Sequence, residues 1–153
     1  MAKKPQSASL REITRRDWRT LGYYYVRNDE TREWRLVGSR DGLSQFAMSL
    51  RTLATGRHAH DLGAHDHLGP YWYLEIGIHT RREFTDHWIA GTALDLLALA
   101  TIVEAGLTLG DLGKQVHLRD DYAPEAAYDL VLDIREDDFD PASADPELVI
   151  LPT

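Results

Sequence analysis

The chain has 153 residues, a net charge of -8 and no cysteine. This length predicts a single domain, and the lack of cysteine excludes disulfides, iron–sulfur clusters, thiolate zinc sites and thiol nucleophiles. No apolar run approaches the ~20 residues of a membrane span, and the polar N-terminus lacks the apolar core of a signal peptide, so we expect a cytoplasmic protein without a membrane partner.

Charge is distributed unevenly along the chain. Residues 1–40 carry ten basic and five acidic side chains, whereas residues 129–153 carry eight acidic side chains against Arg135. The acidic balance of the whole chain repels a nucleic-acid backbone, so we expect no direct nucleic-acid binding. The same balance suits a basic protein partner, although net charge also serves solubility alone.

The N-terminal part of the chain predicts a tail, a short helix and a hairpin. Residues 1–9 are polar and are expected to be disordered. Residues 10–19 have a weak helical periodicity and several arginines, which is typical of a solvated helix face. Two segments rich in aromatic and β-branched residues, 21–27 and 32–38, flank turn-forming residues and predict a β-hairpin.

Two longer helices are predicted further along the chain. Ser39 is a candidate N-cap, and apolar residues at helical spacing continue from there to a candidate C-terminal Gly56. The second helix begins at Thr92, which forms a capping-box pattern with Asp95. Because it is apolar on most sides, we expect it to be buried in the core or in an interface such as that of a homodimer. Further strands are predicted at 71–78, 114–119 and 128–134.

Together these elements predict an α+β domain over residues 10–135 with the order ββαβαββ. The economical architecture is a two-layer sandwich, in which a mainly antiparallel sheet of about five strands carries two helices on one face. Residues 136–153 are expected to form an acidic C-terminal tail. The other face of the sheet would then be aromatic and polar, and open to a partner.

The segment around residues 57–69, predicted as a loop, holds four of the seven histidines: His58, His60, His65 and His67. Neutral imidazoles with nearby carboxylates bind zinc or another divalent metal, and a His-x-His pair on extended backbone can direct both rings to one side. Alternatively, one or two rings cap the preceding helix or bind loop backbone, and the others are solvated. Glu75 could also act as a general base with His67, although a glutamate on a strand is more often solvated or paired with arginine.

Three stretches carry a resemblance to known sequences. They are Gly38-Ser-Arg-Asp-Gly-Leu43, His65-Asp-His-Leu-Gly-Pro-Tyr-Trp-Tyr-Leu74 and the segment 133–146. They resemble a group of small uncharacterised bacterial proteins over most of residues 17–146, and no established activity comes with this resemblance. In size and acidity the chain is also similar to immunity proteins of bacterial toxin systems.

Two functional hypotheses follow. The first is a non-enzymatic interaction protein, either an inhibitor of the immunity or antitoxin type or a subunit of a complex, which needs no cofactor and binds a basic protein. Its candidate contact residues are Tyr71, Tyr73, Glu75, Asp133, Glu136, Asp137 and Asp138. The second is a metal-binding domain or metal-dependent hydrolase that uses His58, His60, His65 and His67.

Overall fold

Antiparallel strand pairs are the units from which both sheets of this protein are built. The computed structural model describes residues 8–148. Within that range the strands are β1 Tyr24–Asn28, β2 Glu33–Ser39, β3 His65–Leu68, β4 Leu74–Ile78, β5 Glu83–Phe84, β6 Trp88–Gly91, β7 Gln115–His117 and β8 Asp129–Arg135. The pair β1–β2 is the hairpin that the aromatic segments predict.

The two longest helices in the described residues begin where the sequence places their caps. The helices of this range are α1 Ala8–Leu21, α2 Arg40–Thr55, α3 Ala93–Leu109 and α4 Arg119–Tyr122, followed by a 3-10 helix at Pro141–Ala144. The hydroxyl of Ser39 accepts a hydrogen bond from the backbone N–H of Gly42 at the start of α2. At the start of α3, Thr92 and Asp95 each accept a bond from the other's backbone N–H, which confirms the capping box.

The described strands form two four-stranded sheets, so the expectation of one mainly antiparallel sheet of about five strands is only roughly met. The strand order is β1-β2-β8-β7 in the first sheet and β3-β4-β6-β5 in the second. Each sheet has a parallel pair at its centre, β2–β8 and β4–β6. Residues 129–134 of β8 are buried in succession, as is typical of a central strand covered on both faces.

The order of elements repeats along the chain, although the sequence has no recognisable repeat. Residues 24–78 and residues 83–135 each follow the order ββαββ, with the short helix α4 as an addition in the second half. Each sheet combines the first strand pair of one half with the second strand pair of the other half. The two halves are therefore interlocked, and neither contains a complete sheet of its own.

Helices α2 and α3 pack against each other and form the centre of the core. Both contact strands of both sheets, so they do not lie on one face of a single sheet as predicted. Their buried side chains include Leu43, Phe46, Leu50, Leu96, Leu99 and Val103, and they meet Trp34, Leu36, Leu130, Leu132 and Ile134 in one apolar cluster. One face of α3 is therefore buried in the core as predicted, whereas Leu94 and Leu109 on the same helix are exposed.

Both ends of the described chain pack on the domain. Ser9 belongs to α1 and not to a disordered tail, while residues 1–7 of that predicted tail lie outside the described residues. The 3-10 helix Pro141–Ala144 lies against α1 and β1, and residues 149–153 of the predicted acidic tail also lie outside the described residues. Within residues 8–148, no helix has both the length and the apolar content that a membrane crossing requires.

Two leucines of α3 give a matched test of this core. Leu99 is fully buried, whereas Leu94 is 79% exposed on the same helix. We expect Leu99→Ala to lower the free energy of unfolding by about 2–5 kcal/mol, because the change leaves a cavity between the helices and the sheet. Leu94→Ala should change it by less than about 0.5 kcal/mol. Urea unfolding measures both, and equal losses would contradict the placement of α3.

Candidate functional site

Aromatic side chains from distant parts of the chain line a cleft beside the first sheet. Its volume is about 340 Å³. The lining residues are Trp18 from α1, Tyr24, Tyr25, Val26 and Arg27 from β1, Trp34 from β2, Tyr71 and Tyr73 from the turn before β4, and Asp145, Pro146 and Glu147. We call this the aromatic cleft.

Trp18 holds the rings of the aromatic cleft together. Its ring centroid lies 4.9 Å from that of Tyr24, 5.1 Å from that of Tyr25 and 5.9 Å from that of Tyr71. Tyr71 in turn lies 6.0 Å from Tyr73, which is 59% exposed. These spacings and the tilted or edge-to-face angles are those that aromatic pairs prefer, so the walls of the cleft are preorganised.

The carboxylate of Asp145 is buried at this site, with the residue only 2% exposed. Its Oδ2 atom accepts hydrogen bonds from Trp18 Nε1 at 2.8 Å and from the hydroxyl of Tyr71 at 2.7 Å. Its Oδ1 atom accepts a bond from the backbone N–H of Glu147 at 2.9 Å. All three donors are neutral, so they satisfy the oxygens of the carboxylate without cancelling its charge.

The negative charge of this region acts on two tyrosines of the cleft. Burial raises the pKa of Tyr24, and the charges of Asp145 and Glu147 raise it further. Burial also raises the pKa of Tyr71, to which the hydrogen bond and the charge of Asp145 add. Both rings therefore lie in a negative potential, which favours a cation in the cleft.

Among the described residues that line the cleft, Arg27 is the one with a cationic side chain, and that side chain already has partners within the protein. Its guanidinium lies 5.9 Å from the ring centroid of Trp34, forms an ion pair with Asp29 at 2.7 Å and donates to the backbone oxygen of Asp86. Its charge is thus largely offset by Asp29. It also shows that a guanidinium fits against the aromatic wall.

A second group of polar residues lies on the second sheet. His65 and His67 are two residues apart on β3 and share a face, and Glu75 on β4 is the direct cross-strand partner of His67. One nitrogen or oxygen atom from each of these three side chains can be chosen so that all lie within 4.8 Å of one another. The segment predicted as a loop thus ends in a strand that aligns these side chains.

The strand predicted over residues 71–78 is too long at its beginning, because β4 starts at Leu74. Residues 71–73 belong to the turn between β3 and β4. Trp72 has a φ of 62°, a value that places it in a tight turn, and its side chain is 67% exposed. Tyr71 and Tyr73 therefore point from a turn into the aromatic cleft. Of the three contact residues predicted in this segment, Tyr71, Tyr73 and Glu75, only Glu75 lies within a strand.

The other predicted site residues lie apart from these two groups. His58 pairs with Asp61 at 2.8 Å in the turn before β3, and His60 is exposed in the same turn. Asp133 is buried on the first sheet, where its carboxylate pairs with Arg135 at 3.1 Å. Three exposed acidic residues follow β8: Glu136, Asp137 and Asp138. The predicted contact residues therefore do not share one open face of a sheet. Tyr71 and Tyr73 line the aromatic cleft, Glu75 lies on the second sheet, and the remaining acidic residues lie in or after β8.

Sequence reasoning missed the residues that organise both groups. Trp18 and Asp145 are 127 positions apart, and Asp145 has the local appearance of a tail residue, so no local pattern links them. The sequence also does not predict His87, whose Nε2 atom lies 3.5 Å from the carboxylate of Glu75. The order of the sheets, which no short-range signal reveals, brings these residues together.

No family model, no curated protein and no solved structure matches the chain. The resemblance to uncharacterised bacterial proteins and to immunity proteins remains a prediction.

The hydroxyl of Tyr71 gives a matched test of the buried carboxylate. We expect Tyr71→Phe to lower the free energy of unfolding by about 1–3 kcal/mol, because Asp145 loses one of its two side-chain donors. Tyr73→Phe is the control, since Tyr73 is mostly exposed, and it should cost less than about 0.5 kcal/mol. Denaturant unfolding measures both, and an equal cost would contradict the role given to the bond.

The buried tyrosines predict a loss of stability at high pH. Burial raises the pKa of Tyr25 to about 12 and also raises the pKa of Tyr23, Tyr71 and Tyr122. Because tyrosine in an unfolded chain ionises near pH ~10, the stability contributed by the neutral rings is complete below pH ~10 and is lost as the pH rises towards 12. Urea unfolding of the wild type and of Tyr25→Phe should show a shallower decline in the variant, and identical slopes would contradict this account.

Proposed function

We propose that the protein is a small acidic interaction protein that binds a basic protein partner through the aromatic cleft. The observation that carries the proposal is the buried carboxylate of Asp145, which has neutral donors and lies among aromatic rings. A cleft with this chemistry favours a cationic side chain over a neutral or an anionic one. Arginine or lysine of the partner is therefore the proposed anchor.

Two attractions act on such an anchor in the same place. The faces of Trp and Tyr rings attract a cation, with a contribution of about 0.5–2 kcal/mol for each close contact. The carboxylates of Asp145 and Glu147 add a Coulombic attraction, which is stronger here than in bulk water because Asp145 is buried. Arg27 against Trp34 is an example of the same contact within the chain.

The remaining acidic surface would guide the partner to the cleft. The net charge of -8 and the exposed residues 136–138 attract a basic protein over a distance comparable to the Debye length, which speeds encounter. Tyr73, as an exposed ring at the cleft, would become buried on binding. Aromatic residues that become buried in this way commonly supply most of the binding energy in an interface.

Binding of this kind has an inhibitory or an assembly role and needs no chemistry from this chain. An immunity protein or an antitoxin acts by covering the working surface of a basic toxin, and a subunit of a complex uses the same contacts for assembly. The proposal covers both roles, because the cleft supplies the same recognition chemistry to each. It requires no cofactor.

Titration with a blocked hexa-arginine peptide tests the proposal. Isothermal calorimetry at low salt should give saturable binding, and added salt should weaken it because charge contributes to the affinity. Tyr73→Ala should raise the dissociation constant about tenfold through the loss of one ring contact. Trp72→Ala is the matched control, since Trp72 is equally exposed but does not line the cleft, and it should leave the constant within about twofold.

A further variant separates the cleft from the acidic turn after β8. In this variant Glu136→Gln, Asp137→Asn and Asp138→Asn are combined. Under the proposal it slows association but retains the binding site. Peptide binding that disappears in this variant while Tyr73→Ala has no effect would place the site on the turn and contradict the proposal.

A further inference from the structure

We propose that His65, His67 and Glu75 form a binding site for a divalent transition-metal ion on the second sheet. The proposal is independent of the aromatic cleft and of the partner proposed for it. It differs from the four-histidine set expected from the sequence, because it replaces His58 and His60 with a carboxylate from the neighbouring strand.

The register of β3 and β4 sets the position of the three side chains. Residues at alternate positions of a strand point to the same face, so His65 and His67 share one side of the sheet. Cross-strand pairing places Glu75 directly opposite His67 and Gly77 directly opposite His65. Gly77 has no side chain of its own, and the ring of Trp88 occupies the space over it.

Each of the two imidazoles has its Nδ1 atom near a backbone carbonyl oxygen. The Nδ1 atom of His65 lies 2.9 Å from the carbonyl oxygen of Gly63, and the Nδ1 atom of His67 lies 3.1 Å from that of Trp72. A carbonyl oxygen can only accept, so each Nδ1 carries the proton and each Nε2 keeps its lone pair. Metal-binding histidines commonly carry an outer hydrogen bond of this kind on the nitrogen that does not bind the metal. Nδ1 is also the atom of His67 that lies 3.4 Å from the carboxylate of Glu75, so this ring must turn to bring Nε2 to a shared ion.

Glu75 supplies the charge that such a site needs. Its carboxylate is 15% exposed and lies 3.4 Å from Nδ1 of His67 and 3.5 Å from Nε2 of His87. These two partners are histidines and not arginines or lysines. When both rings are neutral, the carboxylate keeps its negative charge and can offset part of the charge of a dication.

The donor set points to a particular class of ion. Two imidazole nitrogens and one carboxylate oxygen suit zinc, cobalt, nickel or iron in the divalent state, whereas magnesium and calcium prefer sites made of oxygen. Zinc–nitrogen bonds of ~2.1 Å require ligand atoms roughly 3.3 Å apart, so the rings must turn inward from their present spacing. Both histidines are exposed and have the space to do so.

The neighbouring residues shape the base of the site. The ring of Trp88 lies over Gly77, and a Cβ atom at position 77 would come within 2.4 Å of that ring. The glycine thus allows the indole to lie close to the sheet beside the three ligands. Three protein ligands leave at least one coordination position of a tetrahedral ion open to water, which is the arrangement of catalytic and not of structural zinc sites.

Metal titration of tag-free protein tests the site. We expect calorimetry with zinc chloride to give about one ion per chain. Bound cobalt(II) should show the visible absorption that is typical of a low coordination number. His65→Ala, His67→Ala and Glu75→Gln should each weaken binding by at least about tenfold, because each removes one of three ligands. Circular dichroism should show that all three variants keep the fold, since both histidines are exposed and Glu75→Gln keeps the size of the side chain.

Two other histidines serve as matched controls. His58→Ala and His60→Ala remove exposed imidazoles from the same segment and should leave the affinity within about twofold. A dissociation constant weaker than about 1 mM for zinc would overturn the proposal, since it would correspond to only about 4 kcal/mol of binding free energy. So would a loss of affinity in the His58 or His60 variant with unchanged binding in the His65 and His67 variants.

Discussion

The buried carboxylate of Asp145 ties together three segments that are far apart in the chain. It accepts bonds from Trp18 of α1 and from Tyr71 of the turn before β4, and its own segment follows the 3-10 helix. Leaving such a group without donors would cost several kcal/mol, so the bonds to Asp145 stabilise the positions of all three segments. The network closes the aromatic cleft on one side, and it is the reason that the cleft carries a negative charge.

Short-range signals were sufficient for most single elements of the fold. The turn residues after Asn28, the N-cap Ser39 and the capping box of Thr92 each act within a few residues, and each lies where the sequence predicts it. The pairing of the strands depends on long-range contacts that leave no such signal. The parallel register of β2 and β8 joins residues 96 positions apart, such as Leu36 and Leu132, so one five-stranded sheet was predicted in place of two four-stranded sheets.

The candidate site was predictable only where its residues are close in sequence. The sequence predicts His65 and His67 as a pair because alternate histidines on extended backbone point to one side. It predicts Glu75 as a candidate because this residue is a carboxylate in an aromatic strand. The sequence could not show that Glu75 belongs with the histidines, because this requires the register of two strands. The sequence also could not show that Asp133 and Tyr71 lie on different surfaces, because this depends on how the strands of the two halves pair.

We propose that the aromatic cleft selects for positive charge and not only for shape. Nuclear magnetic resonance titration with hexa-arginine and with hexa-citrulline tests it most directly, because citrulline has nearly the shape of arginine but no charge. We predict that hexa-arginine shifts the amide signals of residues around Tyr24, Tyr73 and Glu147 and the indole signal of Trp18, and that hexa-citrulline leaves them nearly unchanged. Equal shifts with both peptides, or shifts confined to other surfaces, would contradict the account.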